Sequence, residues 1–350
     1  MISVSLCMIV KNEERVLARC LDSFAPLVDE IVIVDTGSTD STKAVAARYT
    51  DKIYDFSWIG DFAAARNFAF SKTTCDYIYS ADADEMIDEE NAKLFMALKE
   101  AMDPQIEMVQ MWYVNRHDLR TTDNFEKDLR PKLFKRLRSF VWIDPVHESV
   151  RLDPLVFDSD IEILHLPESS HSGRDFKIFV NRLKAGDKLS AKLMHMYATE
   201  LFLAGTDSDF YEAAPFFENR IYDAACDEDG RMEAYCVLTR AARLKGDVNA
   251  FFKWSLKNIS IKPCAEICCE LGQYYFAAGD YEEASVWFIN AHHETEAILK
   301  ADTAGREPVS MLAACYEKMA GEHPEMKDTF LNMAVSYKAM LNEMKNLVSS

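Results

Sequence analysis

Tyr77-Ile78-Tyr79-Ser80-Ala81-Asp82-Ala83-Asp84-Glu85 is the stretch on which the reading of this chain turns. A short β-prone run delivers two carboxylates, one residue apart, to the point where a strand must stop. Acids at i and i+2 on a turning backbone can converge on one hard cation. A divalent ion held that way keeps open positions for the oxygens of a diphosphate. Alone the pattern is weak, because a chain with 58 acidic residues makes Asp-x-Asp pairs by chance. Its surroundings give it weight.

Upstream, Val4 to Val10 is a continuous apolar run of strand length. Lys11-Asn12-Glu13-Glu14 breaks it, and Val16, Leu17, Cys20, Leu21 and Phe24 follow at helical spacing, with Asn12 the expected helix cap. Glu30 to Val34 predicts a second buried strand, ending in Asp35-Thr36-Gly37-Ser38-Thr39-Asp40. A helix through Ala44 to Tyr49, a strand from Lys52 to Phe56 and a helix from Phe62 to Phe70 carrying Arg66-Asn67 lead to the fourth strand. This alternation predicts an α/β domain with a mainly parallel sheet and crossover helices. Ligands of such sheets bind beyond the carboxyl ends of the strands. Lys11, Asn12, Glu13, Asp35, Asp82 and Asp84 all fall at such ends. Neither G-x-G-x-x-G nor G-x-x-x-x-G-K-[ST] is present, which disfavours a dinucleotide site and excludes a P-loop.

The 350 residues suffice for two domains, and 49% hydrophobic with 28% charged residues is ordinary for a globular protein. A net charge of −19 argues against an electropositive nucleic-acid surface or a basic membrane patch, and means that a diphosphate would need local cations. No apolar run approaches the roughly 18 residues of a membrane span. The first residues read as a strand rather than a signal peptide. Nine cysteines with neither framework nor zinc-type spacing predict free thiols in a reducing cytoplasm.

Beyond the acidic pair, Asp88 to Met102 predicts an amphipathic helix, Glu107 to Asn115 a strand with one polar face, and Ile161 to His165 a closing strand. Arg130 to Arg136 is a basic island, in which Lys132 and Arg136, with Arg138 beyond it, suit either phosphate binding or a solvated face. The serine-bearing stretch Pro167 to Gly173 reads as a linker, giving expected domains 1–168 and 169–350. From about Arg174 helical spacing takes over. At an offset of 33, Glu233 falls on Glu266, Cys236 on Cys269, Leu238 on Leu271, Gly246 on Gly279, Asp247 on Asp280 and Trp254 on Trp287. That period, with Gly-Asp in the turn, points to tetratricopeptide-type (TPR) repeats. An earlier unit spans Tyr197 to Ile221 and a degenerate one Val309 to Met340. The aromatics Tyr274, Tyr275, Phe276, Trp287 and Phe288 read as repeat core, and the array as a peptide-binding surface, a brace or a homodimer face.

Four quoted stretches carry a resemblance: Leu6-Cys7-Met8-Ile9-Val10-Lys11-Asn12-Glu13-Glu14, Val34-Asp35-Thr36-Gly37-Ser38-Thr39-Asp40, Phe62-Ala63-Ala64-Ala65-Arg66-Asn67 and Ala81-Asp82-Ala83-Asp84-Glu85. In order and spacing they resemble the motifs of glycosyltransferase family 2, inverting enzymes of the GT-A fold, over roughly residues 3 to 165. The resemblance implies a nucleotide-sugar site, with a UDP-sugar favoured, at Val10, Lys11, Asn12, Glu13, Asp35, Arg66, Asp82, Ala83 and Asp84. Asp35 would meet the base, and Asp82 and Asp84 would hold Mn²⁺ or Mg²⁺. The run from Arg130 to Glu148, with Trp142 and Val146-His147-Glu148, is also similar to family members. An inverting transfer needs a carboxylate to take the acceptor's proton. Glu148 is the candidate base, with Asp144 and Asp118 as alternatives, and His147 the candidate third metal ligand. His165 either lines the site or is structural. The layout resembles family 2 enzymes with appended repeats that glycosylate peptides, which makes a peptide or protein acceptor the first expectation. A saccharide or lipid-linked acceptor is the second. A non-catalytic nucleotide-sugar sensor with partner-binding repeats is the reading from another class.

Overall fold

The computed structural model describes residues 1–115, 127–150, 153–167 and 172–347. The chain divides into two compact units, Met1–His171 and Ser172–Ser350.

In the first unit, β1 (Val4–Val10), β2 (Glu30–Asp35), β3 (Ile53–Asp55) and β4 (Tyr77–Ala81) pair in parallel in the spatial order β3-β2-β1-β4. Helices α1 (Leu17–Phe24), α2 (Thr42–Ala46) and α3 (Phe62–Phe70) connect them. The strands are continuous apolar runs because both faces are covered. Leu6, Met8 and Val10 enter one buried cluster, and Cys7, Val32 and Val34 the other. β5 (Glu85–Met86) and α4 (Glu89–Ala101, capped by the Asp88 carboxylate on the Asn91 N–H) follow. The sheet then continues through β7 (Lys127–Lys135), β6 (Met108–Asn115) and β10 (Val156–His165), with β5 at its far edge. β7 runs antiparallel to both neighbours, β4 and β6. This makes the sheet mixed.

Two expectations change here. The basic island is the core-facing strand β7, in which Leu133 and Phe134 are fully buried. Its Pro131 is tolerated inside the sheet because the register against β6 shifts at Val109/Gln110. Asn12 does not cap α1, which starts at Leu17 with Val16 at the cap and no side-chain bond there.

The second unit is helical from α5 (Ser172–Lys184) to α13 (Lys327–Leu347). Between them lie α6 (Ala191–Ala204), α7 (Asp207–Ile221), α8 (Glu228–Lys245), α9 (Val248–Ile259), α10 (Ala265–Ala278), α11 (Tyr281–Ile289) and α12 (Arg306–Glu322). The period of 33 has a local cause. Gly246 and Gly279 close α8 and α10 in the left-handed region, at φ 71° and 83°. Asp247 and Asp280 then cap α9 and α11 by accepting from Ala250 N–H and Glu283 N–H. Gly272 is required by close approach, since a Cβ there would stand 2.7 Å from the Phe288 ring. Phe288 is core as expected, whereas Tyr274, Tyr275, Phe276 and Trp287 are only half-buried. The regular stacking breaks after α11, where a π-turn (Asn290–Glu294) and an irregular segment lead to α12. Among the described residues no helix is long and apolar enough to cross a membrane.

Candidate active site

Side chains with chemistry gather at the carboxyl ends of β1, β2 and β4. Asp35, at the end of β2, is 2% exposed. Its Oδ1 accepts from the N–H groups of Gly37 and Ser38, both at 2.9 Å. Its Oδ2 is buried without a hydrogen-bond partner. A buried carboxylate with one oxygen saturated and the other bare is a costly arrangement unless a ligand donor completes it.

The loops after β1 and β2 are laced together. Asn12, at φ 58°, donates its N–H to Ser38 Oγ and accepts at Oδ1 from Thr39 N–H. Glu13 N–H donates to Thr42 Oγ1. Lys11 is exposed, and Val10 is a core side chain whose carbonyl accepts from Thr36. Of the residues expected here, Asn12 and Glu13 therefore shape the loop that presents Asp35.

Arg66 projects from α3 as a hub. Its Nε donates to Glu148 Oε1, Nη1 to Ser80 Oγ at 3.0 Å and Nη2 to Asp82 Oδ1 at 2.9 Å. The Trp142 indole lies over the guanidinium, 5.2 Å from centroid to Cζ. Asn67 fixes that indole by clasping the Trp142 backbone, donating to its carbonyl at 2.9 Å and accepting from its N–H at 2.8 Å. Burial works against the Arg66 charge, yet the Asp82 and Glu148 carboxylates outweigh it and raise its pKa. Asp82 answers in kind. Burial alone would raise its carboxyl, but Arg66 and Lys132 hold it well below the usual range.

Lys132 reaches the site from β7 because that strand runs back towards the end of β4. Its ammonium pairs with Glu85 and stands 3.7 Å from Asp82 Oδ2. Burial pushes Glu85 up to about 8 against the pull of Lys132, with Asp82 adding to the rise. Arg136 and Arg138 lie with the opposite end of β7, on the Cys75 carbonyl and on Glu107, and do not join the site.

Asp84 meets a histidine, but not the one expected. His165 at the end of β10 places Nε2 3.1 Å from Asp84 Oδ2, with its ring against Tyr113 at 4.8 Å. Backbone bonding fixes the pair, since β5 and β10 are antiparallel there and Leu166 N–H donates to the Asp84 carbonyl at 2.9 Å. Two ligands about 2.1 Å from one ion and at right angles are roughly 3.0 Å apart. The Asp84–His165 spacing therefore fits a divalent cation with mixed oxygen and nitrogen ligands. Asp82, Asp84 and His147 do not bring three ligand atoms within 4.8 Å of one another; among the described residues only a cysteine-containing cluster in the second unit does. Ala83, between the acids, is a buried core residue.

Glu148 is carried by a short hairpin, β8 (Trp142–Ile143) with β9 (Ser149–Val150). Its turn holds Asp144 at φ 74° and His147 at φ 50°, left-handed conformations that cost about 1–2 kcal/mol each in non-glycine residues. Pro145 anchors the turn by accepting from Phe62 N–H at 2.9 Å. The third candidate base, Asp118, lies outside the described residues.

The first unit is thus an α/β fold with its polar side chains at the strand ends. Residues 5–150 match the family model Glycosyl transferase family 2, so this unit carries a family 2 glycosyltransferase domain. A TPR repeat-containing protein of Synechococcus elongatus is 48% identical over 85 residues, 24% of this chain and 21% of that protein. An uncharacterized glycosyltransferase of Rickettsia felis is 37% identical over 87 residues, 25% of this chain and 30% of that protein. The lipopolysaccharide core biosynthesis glycosyltransferase LpsC of Rhizobium meliloti is 34% identical over 105 residues, 29% and 38% respectively. The matches thus span between a fifth and two fifths of these relatives' lengths. A solved structure of Mycobacterium tuberculosis glucosyl-3-phosphoglycerate synthase overlaps 54% of this chain and 82% of its own at 16% identity and TM-score 0.41.

Proposed function

We propose that this chain is a metal-dependent, inverting glycosyltransferase that moves a sugar from a nucleotide-diphosphate sugar, with a UDP-sugar as first choice, to a peptide or protein acceptor. The observation that carries the reading is the convergence of Arg66, Lys132 and the Asp84–His165 pair on one strand-end site within the family 2 domain. In a chain of net charge −19, these are the fixed cations and the cation-holding pair that a departing diphosphate requires. The bare Asp35 oxygen suits an N–H of the base. Asp84 and His165 would hold the divalent ion, with Asp82 beside them, and the ion supplies further stabilisation of negative charge on the leaving group.

Glu148 remains the proposed base, under a condition. Arg66 donates to Glu148 Oε1 and so occupies one oxygen of the carboxylate. When the donor's diphosphate competes for Arg66, Glu148 is released to take the proton of the acceptor hydroxyl or thiol. The acceptor atom bonds to the anomeric carbon as the bond from that carbon to the diphosphate oxygen breaks, and the configuration inverts. The strained hairpin turn is suited to such a shift.

The test is calorimetric and thermal-shift titration with nucleotide diphosphates and their sugars, with and without Mn²⁺. Metal-dependent stabilisation by one UDP-sugar, lost in Asp84→Ala, is expected. No response to any nucleotide sugar would sink the reading in favour of a unit that no longer binds donors. Slow donor hydrolysis with Mn²⁺ separates an enzyme from a sensor. A second acceptor class, the saccharide of a lipopolysaccharide core, is kept because LpsC is among the relatives. Transfer to saccharide but never to peptide would replace the first choice.

A further inference from the structure

The second unit holds an acid whose environment is incomplete. Glu233 and Glu266 are 33 residues apart, at equivalent positions of the repeat, in the N-terminal halves of α8 and α10. Glu266 is saturated: its carboxylate accepts from the N–H groups of Ile298, Leu299 and Lys300 at 2.8–3.0 Å. Those amides come from the irregular segment that follows the π-turn. One repeat earlier the corresponding chain is the start of α10, and no such segment reaches Glu233. Glu233 is only 8% exposed, and Oε1 meets His195 Nδ1 at 2.7 Å. Its Oε2 is buried with no hydrogen-bond partner, and the nearest cation, Arg220, stands 3.9 Å away, beyond hydrogen-bonding distance.

Glu233 lines a cavity of about 360 Å³, within the size range of small-ligand sites. Met232, Pro263, Cys264 and Ile298 give it an apolar lining. Asp229 and Glu296 bring two further carboxylates to the lining, against Lys262 and the Glu233-bound His195. An apolar wall, a bare buried carboxylate oxygen and an excess of acids describe a receptor for a cation on a hydrocarbon stem. We propose that this cavity binds an alkylammonium or alkylguanidinium group, with the charged head on Glu233 Oε2 and the stem against Met232, Pro263 and Ile298. The group has two chemical sources, a free small amine or the lysine or arginine side chain of a bound peptide. Either is additional to the donor site, and neither depends on the activity proposed above.

The experiment titrates the full chain, without nucleotide or metal, with n-butylammonium, n-butylguanidinium and the uncharged isostere 1-pentanol, followed by calorimetry. A second arm uses acetyl-Gly-Lys-Gly-amide against the same peptide with norleucine. Saturable binding of a cation, at least about tenfold tighter than its uncharged counterpart, is expected. Glu233→Gln should weaken it by about tenfold or more. The exposed substitution Glu296→Lys should weaken it severalfold, and keeps the test alive if the Gln variant loses its fold. Tighter binding of the lysine peptide than of the free amine assigns the site to a protein side chain, and the reverse to a small molecule. Equal affinity for charged and uncharged probes, or no saturation by any cation, would overturn the proposal and leave a water-filled gap beside a structural triad.

Discussion

Both units bury arginine against carboxylate, and they use the pairing in opposite ways. In the helical unit Glu270 is fully buried, and each of its oxygens takes one guanidinium Nε at 2.5 Å, from Arg240 and from Arg243. Both carboxylate oxygens are taken up inside the unit, and α8 is tied to α10. In the first unit Arg66 divides its donors among Glu148, Ser80 and Asp82, and the Asp82 side chain stays 37% exposed at the end of a strand. One arrangement closes on itself; the other faces the place where a ligand enters. The lesson is that a buried ion pair says little about role until its remaining donors, acceptors and exposure are counted.

Substitutions should break this contrast in graded steps. Arg66→Ala should have the largest effect, lowering kcat/KM by about 10²–10³ because it removes a fixed donor to the leaving diphosphate. A melt should show that the fold survives. If the variant instead unfolds with little change in specific activity, the Arg66 hub is a brace like its helical counterpart. Glu270→Ala should do the converse, costing about 3–5 kcal/mol by stranding two guanidinium groups, read as a lowered denaturation midpoint. Unaltered donor binding in that variant would sharpen the distinction.

Acid titration probes the same pair. Burial works to raise the Glu270 carboxyl, but Arg240 and Arg243 outweigh it and hold it below its ordinary value. The folded state therefore binds this proton less readily than the unfolded state. The stability so contributed is fully present above the unfolded carboxylate pKa of roughly 4.3 and is lost as pH falls through the lower folded value. The stability gap between the native chain and Glu270→Gln should narrow over that range; a gap that widens on acidification would refute the assignment. Asp35→Asn should come next. It keeps an oxygen for Gly37 and Ser38 but turns the bare acceptor into a donor, so nucleotide affinity should fall about tenfold while the melt moves little. The smallest effect is expected for Asp247→Ala, a lost N-cap worth about 1 kcal/mol in denaturant unfolding, with donor binding unchanged.

Much of this was readable in the chain alone. Apolar runs alternating with helical spacing give a mainly parallel sheet, because a strand buried on both faces has no polar positions to spare. The Gly-Asp turns give the helical period, since a left-handed closing residue and a capping acid are local needs met by local residues. Asp35, Asp82 and Asp84 stand out because they lie where apolar strands end, and Arg66 through the Phe62 to Asn67 motif on α3. Other features needed the tertiary structure. His165 is 81 residues from Asp84 and meets it only because β10 pairs with β5. Lys132 sits in a basic run that reads equally well as a solvated face, and β7 turning back beside β4 makes it the buried partner of Glu85 and Asp82. Glu233 and Glu266 occupy the same place in the repeat, yet one is satisfied and the other left open by an irregular segment that no periodicity announces. Sequence determined what each segment would be, because propensity and capping act over a few residues. Which distant charges would share a site was decided by strand order and register, which bring together side chains that the chain itself keeps far apart.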